Sequence, residues 1–581
     1  MTATEPVTQS NDSFLIAECG HTNTTVVLFD IVEGGYRLVA RGSAPSTVDA
    51  PWHDMAVGVQ HAITEIVAAT GRPLLESNGT LIMPTREEDG AGVDYFALLV
   101  SCADPLKVIV AGLLDDVSLA SARRALATIF AQEVDSFSLA DTRSMQEQLS
   151  AIWRHQPHLI FVVGGTDGGA ADRLRQMLKT LRLGIGLPED KPRPDLLYAG
   201  NSALREAFNE ALGELTDLHV ADNVRPDLDT EQLLDAARQL GELYERHQIA
   251  GLPGVAELYH WSSFPVQTTP RALAMVMQYL AALYQGHLLA VDLGSDGVTF
   301  VSAQPESVQL AVHSDLGLGR PLQHLLDTLD ADAILEWMPY PLNADALADF
   351  MVMKALRPGS LPFTEEDLHL EQAIARQILR HGFKQSALHW EWPQRAHLPP
   401  FKLLVLRGAV FTQAPKPVQA LLMILDALQP VGIFPVVLDK YGALPALGAI
   451  AAQAPLVTVQ SLEAGALAEL GWVVAPVGRA RLGQPVMQVL MQPRGGGSIQ
   501  MEVEYGSIEV LPLAPGQEAQ VKLQPARRFD IGYGPGKGRT LTIQGGAVGL
   551  VIDARGRPVH LPSEDEPRRE LLRRWLWELG G

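Results

Sequence analysis

One pattern constrains this chain more than any other, because it is written twice. Glu18-Cys19-Gly20-His21-Thr22-Asn23-Thr24-Thr25 and Asp292-Leu293-Gly294-Ser295-Asp296-Gly297-Val298-Thr299 each read an acid, a glycine two places on, a polar turn, and a threonine seven places after the acid. Each opens the same succession: three short β-like runs (14–19, 24–31, 36–41; then 288–293, 298–303, 307–312) followed by a helical stretch (54–69; then 321–329). The chemistry of such a hairpin is definite. Glycine lets backbone N–H groups approach an anion, hydroxyls in the turn add donors, and an acid at the end of the first strand suits Mg²⁺ held through water. Taken singly, either stretch is as well explained by an ordinary glycine turn. Repeated with one spacing in one βββα context, the two predict facing hairpins across a cleft. Gly20, His21, Thr22, Asn23, Thr24 and Thr25 on one side, with Gly294, Ser295, Gly297 and Thr299 on the other, then hold phosphate. Glu18 and Asp292 hold the metal.

Between and after the repeats, apolar β runs alternate with helical ones, as in an α/β sheet protein. Beyond about residue 455 the text changes to alternating runs punctuated by Gly495-Gly496-Gly497 and by glycines between 532 and 538, which predicts antiparallel strands. An amphipathic helix closes the chain, and its stripe Leu572, Trp575, Leu576 and Leu579 is expected to dock on that β region. The predicted layout is a flexible stretch 1–12, a first lobe 13–285 with insertions, a second lobe 286–455, and a β-rich C-terminal domain 456–581.

With 581 residues, 47% of them hydrophobic, the chain can bury several cores. Its net charge of −22 speaks against nucleic acid or an anionic membrane as partner. Two cysteines, a polar start and the lack of a long apolar run predict a cytoplasmic protein without a membrane span. The loop from Gly164 to Gly169 follows a strand and precedes a helix, so Asp167 is either a catalytic acid that orients water or a helix cap. Gly536-Lys537 lacks the glycine and the hydroxyl of a P-loop, and the 16 histidines show no metal-ligand spacing.

Paired acid-x-Gly hairpins opening two repeated lobes resemble the phosphate motifs of the actin, sugar-kinase and heat-shock ATPase superfamily. Within it, the chain is similar to the glutamate mutase L family. The similarity lies in Gly164-Gly165-Thr166-Asp167-Gly168-Gly169, Tyr198-Ala199-Gly200-Asn201, Asp222-Asn223-Val224-Arg225-Pro226, Thr269-Pro270-Arg271-Ala272, Leu444-Pro445-Ala446-Leu447-Gly448 and the stretch 545–558. The resemblance implies an actin-like ATPase fold of two duplicated ribonuclease H-like lobes and ATP with Mg²⁺ as cofactors. It places Gly408 and Ala409 against adenosine. As function it implies an ATP-dependent chaperone or reactivating factor whose protein partners are the subunits of a cobalamin-dependent mutase. The motifs also depart from the superfamily pattern. Glu18 replaces Asp, Ser295-Asp296-Gly297 interrupts the second turn, and the adenosine segment Arg407-Gly408-Ala409 lacks paired glycines. Asp296 is expected to repel phosphate, by roughly 4 kcal/mol for unit charges about 4 Å apart at an effective dielectric near 20. Weak binding and slow turnover follow, with a non-hydrolysing assembly scaffold as the alternative function. A small-molecule kinase is disfavoured, since no substrate-pocket signature accompanies the phosphate motifs.

Overall fold

The computed structural model describes residues 12–169, 171–187, 192–390 and 397–580; the predicted flexible stretch 1–12 lies outside these but for its last residue. The chain starts with a meander of β1 (Phe14–Cys19), β2 (Asn23–Val32) and β3 (Gly35–Pro45), whose antiparallel register sets Glu18 opposite Thr25. The helix Met55–Thr70 packs on this meander. Its first turn is capped by the Asp54 side chain, which accepts from Ala56 N, and Gly71 closes it in the left-handed region at φ 71°. Contact with β3 is close: a Cβ on Gly42 would lie 1.8 Å from Ala62 O, so only glycine fits. β4 (Tyr95–Val100) then runs parallel to β1.

The chain next builds a separate sheet from β5 (Leu106–Ala111), β6 (Ala131–Phe137), β7 (Leu159–Gly164), β8 (Asp195–Gly200) and β9 (Leu218–Val220), in the order β6-β5-β7-β8-β9. All its pairings are parallel, and β7 and β8 are buried along their whole length, as strands covered on both faces must be. The chain returns through β10 (Gln267–Thr268), parallel to β4.

At residue 288 the meander restarts with β11 (Leu288–Leu293), β12 (Val298–Gln304) and β13 (Ser307–His313), which sets Asp292 opposite Thr299. β14 (Leu403–Arg407) lies parallel to β11, and β15 (Gly432–Leu438) parallel to β14. The order β13-β12-β11-β14-β15 therefore repeats β3-β2-β1-β4-β10, strand sense included. The two halves share a core in which Phe14, Ile16 and Leu99 meet Leu288, Ala290 and Leu444. Here the helices Thr269–Tyr284 and Ala443–Ile450 cross so closely that a Cβ on Gly448 would sit 1.9 Å from Ala272 O. Two of the segments singled out in the sequence are thus the two sides of one helix crossing.

Past residue 455 the structure differs from the alternating text. A helix, Pro455–Glu463, comes first, with proline in its opening turn. β16 (Ala468–Ala475) pairs antiparallel to β15. β17 (Pro485–Pro493), β18 (Ile499–Glu504), β20 (Glu518–Pro525) and β21 (Arg539–Gln544) form an antiparallel sheet of their own, with β20 alternating buried and exposed. β19 (Ile508–Leu511) and β22 (Gly549–Asp553) instead join β16 and extend the second half's sheet to eight strands. The closing helix Asp565–Glu578 docks on that second-half core and not on the four-stranded sheet: Leu572, Trp575 and Leu579 lie buried with Ile508 and Val551. The reason is polar as well as apolar, since Trp575 donates to Gly506 O at 3.2 Å and carries the Arg555 guanidinium 4.6 Å above its ring. Among the described residues no helix is long and apolar enough to cross a membrane.

Candidate nucleotide cleft

The two hairpins face each other across one cleft of about 1230 Å³. Gly20 N donates to Asn23 O at 3.0 Å, and Gly294 N donates to Gly297 O at 2.9 Å, so both turns are closed by the same backbone bond. Of the residues predicted for phosphate, Gly20, His21, Thr22, Asn23 and Thr25 line the cleft on one side and Gly294, Ser295, Gly297 and Thr299 on the other. The buried Thr22 hydroxyl has no partner among the described residues, which leaves it free for a ligand oxygen. Thr24 is not brought in: strand alternation turns it away, to lie buried beside Gly58 of the helix Met55–Thr70.

Glu18 and Asp292 stand where the matched spacing puts them, at the inner ends of β1 and β11, but their partner is an arginine. The Arg407 guanidinium donates through Nη2 to Glu18 Oε2 and through Nη1 to Asp292 Oδ2. Its Nε lies 3.6 Å from Asp439 Oδ2 and makes no hydrogen bond. Burial alone would lower the arginine's proton affinity, yet Asp292, Glu18 and Asp439 together hold it well above the ordinary value, so it stays charged. Asp439 is fully buried and is pushed up to about 6 by that burial, against the pull of Arg407 and the N–H groups of Leu444 and Ala443. These residues do not fit a divalent cation as they stand. Both candidate carboxylates are spent on the guanidinium, and among the described residues no group of three or more His, Cys, Asp or Glu is arranged to hold a metal.

Asp296 also has a different setting from the one expected. His21 Nδ1 meets its Oδ2 at 2.6 Å, and Arg320 Nε donates to its Oδ1 at 3.1 Å. Arg320 further donates to His21 Nε2 at 2.7 Å and to Asp104 at 3.3 Å, so one arginine ties three groups across the two halves. Burial pushes the Asp296 carboxyl up, but His21 and Arg320 outweigh it and hold the group below the usual range. Its charge is thus met within the protein instead of projecting bare at a phosphate.

Gly408 follows Arg407 at φ 107°, and a Cβ there would lie 2.0 Å from Leu293 O, which fixes the segment against the end of β11. Gly408 and Ala409 line the cleft beyond the hairpins, together with Gln372, Lys416 and Trp577. Gln372 is 1% exposed, and its Nε2 has no partner among the described residues. Asp167 is not among the lining residues. It accepts from Ser202 N at 2.9 Å and Asn223 Nδ2 at 3.0 Å, and the first of these bonds does most to hold its carboxyl low. Asn223 also donates to Gly165 O, and Asn201 accepts from Gly168 N. Three segments singled out in the sequence therefore knit one loop cluster at the ends of β7 and β8, and its hydrogen bonds are consumed within it. Sequence reasoning named Arg407 only as the start of the adenosine segment, without its part between the two acids, and missed Gln372 and Trp577. The signal for Arg407 was a cation closing an otherwise apolar strand run; that it lies in register with Asp292 emerges only from the β11–β14 pairing.

Two sheets of one strand order, joined at a core and opening on a cleft flanked by matching hairpins, define a protein of the actin-like ATPase type, here with an additional β-rich part. A family model described as MutL protein matches residues 14–465. The chain belongs to that family, the one its motifs resemble, and membership implies ATP and Mg²⁺ binding in general. Among solved structures it is similar to a nucleotide-free acetone carboxylase, at 11% identity and TM-score 0.33 over 85% of this chain and 81% of that one. It is also similar to a glycerol dehydratase reactivase (11% identity, TM-score 0.29, 75% of this chain and 99% of that one). A third is component A of the Acidaminococcus fermentans (R)-2-hydroxyglutaryl-CoA dehydratase (8% identity, TM-score 0.28, 78% of this chain and 99% of that one). At these scores the likenesses are loose. No curated protein matches the chain.

Proposed function

We propose that this protein is a cytoplasmic actin-like factor, its two halves duplicated lobes of the ribonuclease H type. Nucleoside triphosphate bound between the hairpins changes how the lobes engage a protein partner, which in this family reading is a cobalamin-dependent mutase awaiting reactivation. The observation that carries it is the pair of hairpins, closed by the same bond and facing across one cleft. Closure over a bound nucleotide draws the N–H groups inside the two turns, at His21, Thr22, Ser295 and Asp296, and the Thr22 hydroxyl towards the phosphates, and the partner reads the lobe angle. The alternative, a scaffold that binds without turnover, draws support from Arg407, which occupies both carboxylates that a hydrolytic metal would need. Calorimetric titration with ATP tests the binding. Restoration of activity to a mutase carrying inactivated cofactor, with and without ATP, tests the partner. Rescue that requires ATP supports the reactivating factor; ATP binding without rescue leaves the scaffold reading, and an absence of ATP binding removes the nucleotide-driven factor.

A further inference from the structure

We propose that Arg407 is a built-in cation in the place of the divalent metal, and that the cleft takes a nucleoside polyphosphate without one. This rests on the nucleotide-binding reading above and specifies the form of its ligand.

The geometry is that of a guanidinium fork set between the two hairpins. One terminal nitrogen engages Glu18 on β1 and the other Asp292 on β11. A metal held by both acids would have to lie where the fork lies. Mg²⁺ also demands a nearly ideal octahedral shell and gives up water reluctantly, which leaves no room for a guanidinium beside it. Nor does the backbone let the arginine withdraw. Arg407 is in register with Asp292, and the next residue is pinned by the contact of Gly408 with Leu293 O. Only the side chain moves, and its way out is into the cleft, where the phosphates would come.

The fork suits that encounter. A planar guanidinium meets phosphate oxygens two at a time, and Nε of Arg407, buried 3.6 Å from Asp439 Oδ2, has no hydrogen-bond partner among the described residues. Arg41, which lies close enough to feel Glu18, Asp439 and Arg407, adds a second positive charge beside it. Asp296 brings no bare negative charge to this encounter, because it is already paired with His21 and Arg320.

Two readouts on the full-length protein test this. The first is the affinity for ATP in EDTA and in excess Mg²⁺, read by calorimetry. Wild type should differ by less than about twofold between them, whereas Arg407→Ala should lose about tenfold in EDTA and regain affinity with Mg²⁺. The second uses Mn²⁺ alone, followed by its electron paramagnetic resonance signal. Wild type should leave the ion free, and Arg407→Ala should bind it between Glu18 and Asp292. Wild-type protein that captures Mn²⁺, or that binds ATP about tenfold more tightly with Mg²⁺ than without, overturns the proposal and leaves the nucleotide reading standing. Failure to bind ATP under either condition removes the nucleotide reading, and with it this proposal, while Mn²⁺ still reports whether the acids are free. Should Arg407→Ala not fold, the wild-type arms alone decide.

Discussion

The molecule holds two buried clusters of arginine and carboxylate, built on opposite terms. In the first, Asp553 takes two bonds from the Arg555 guanidinium, a third from its backbone N–H and one from Arg557, while Asp426 takes one each from Arg555 and Arg376. Arg557 places its Nε on Pro430 O. The side chains of Arg555 and Asp553 are both 0% exposed, and every carboxylate oxygen has a donor. This cluster ties the C-terminal strands and the closing helix to the second half, and nothing in it is left to give. In the second cluster a single guanidinium serves Glu18, Asp292 and Asp439, one of its nitrogens has no hydrogen bond among the described residues, and it opens on the cleft. A buried ion cluster with all its demands met holds structure together; one with demands unmet, on a cavity wall, is a place for a ligand.

The sharpest way to break this comparison is to remove the acid at the centre of the sealed cluster. Asp553→Ala strands two buried guanidinium groups and should cost about 3–5 kcal/mol in denaturant unfolding, with nucleotide affinity per folded molecule unchanged. A loss below about 1 kcal/mol would show that the cluster does not lock the tail.

The two clusters should also respond to pH with opposite signs. Burial raises Asp553, but Arg555 and Arg557 outweigh it and hold the carboxyl well below its ordinary 3.8. Its contribution is therefore present above that value and lost as the pH falls below it. Asp439 is raised from 3.8 to about 6, so its contribution is full below 3.8 and lost as the pH rises through about 6. Between these limits wild type should lose of order 1–3 kcal/mol from this group, and Asp439→Asn should flatten that slope. An unchanged slope in the variant would mean that Arg407 already keeps Asp439 ionised.

How much of this could be read beforehand differs between hairpin and cluster. The repeated spacing from Glu18 to Thr25 and from Asp292 to Thr299 located both turns, because strand pairing there is local and a two-residue period fixes the register. The part played by Arg407 escaped notice because it depends on three acids that come from strands or loops far away in the chain. Asp296 read as a repulsive charge for the same reason, since Arg320 and His21 reach it only after folding. The tail read as a purely antiparallel β region because alternation marks a half-exposed strand. It does not tell which sheet a strand joins, and β16, β19 and β22 went to the larger one.

With Asp296 paired, Asp296→Gly becomes a mild substitution. It should change stability by about 1 kcal/mol or less, as a pair with a half-exposed arginine allows, and nucleotide affinity by less than about fivefold. A gain of two decades or more in affinity would show that the carboxylate does face the phosphates and that the His21 and Arg320 pairing is broken in the bound form.

The smallest effect is expected at Trp577, two residues from Trp575 and opposite to it in role. Trp575 is 3% exposed beneath Arg555, whereas Trp577 is 80% exposed on the face of the closing helix that borders the cleft. Two places along a helix turn a side chain by more than half a revolution, so one helix reaches the sealed cluster with one indole and the open cleft with the other. An exposed indole contributes little to folding, and Trp577→Ala should leave stability within about 0.5 kcal/mol of wild type. What it offers is a flat apolar face on the wall of the cleft also lined by Gln372, whose buried amide nitrogen lacks a partner among the described residues. A purine stacked on Trp577 would lose about 1 kcal/mol of stacking in the variant, close to a fivefold weaker affinity. Comparing ATP with inorganic triphosphate separates the possibilities, because triphosphate has no base to stack. Equal weakening of both ligands, or of neither, would place the base elsewhere in the cleft and leave Trp577 as surface.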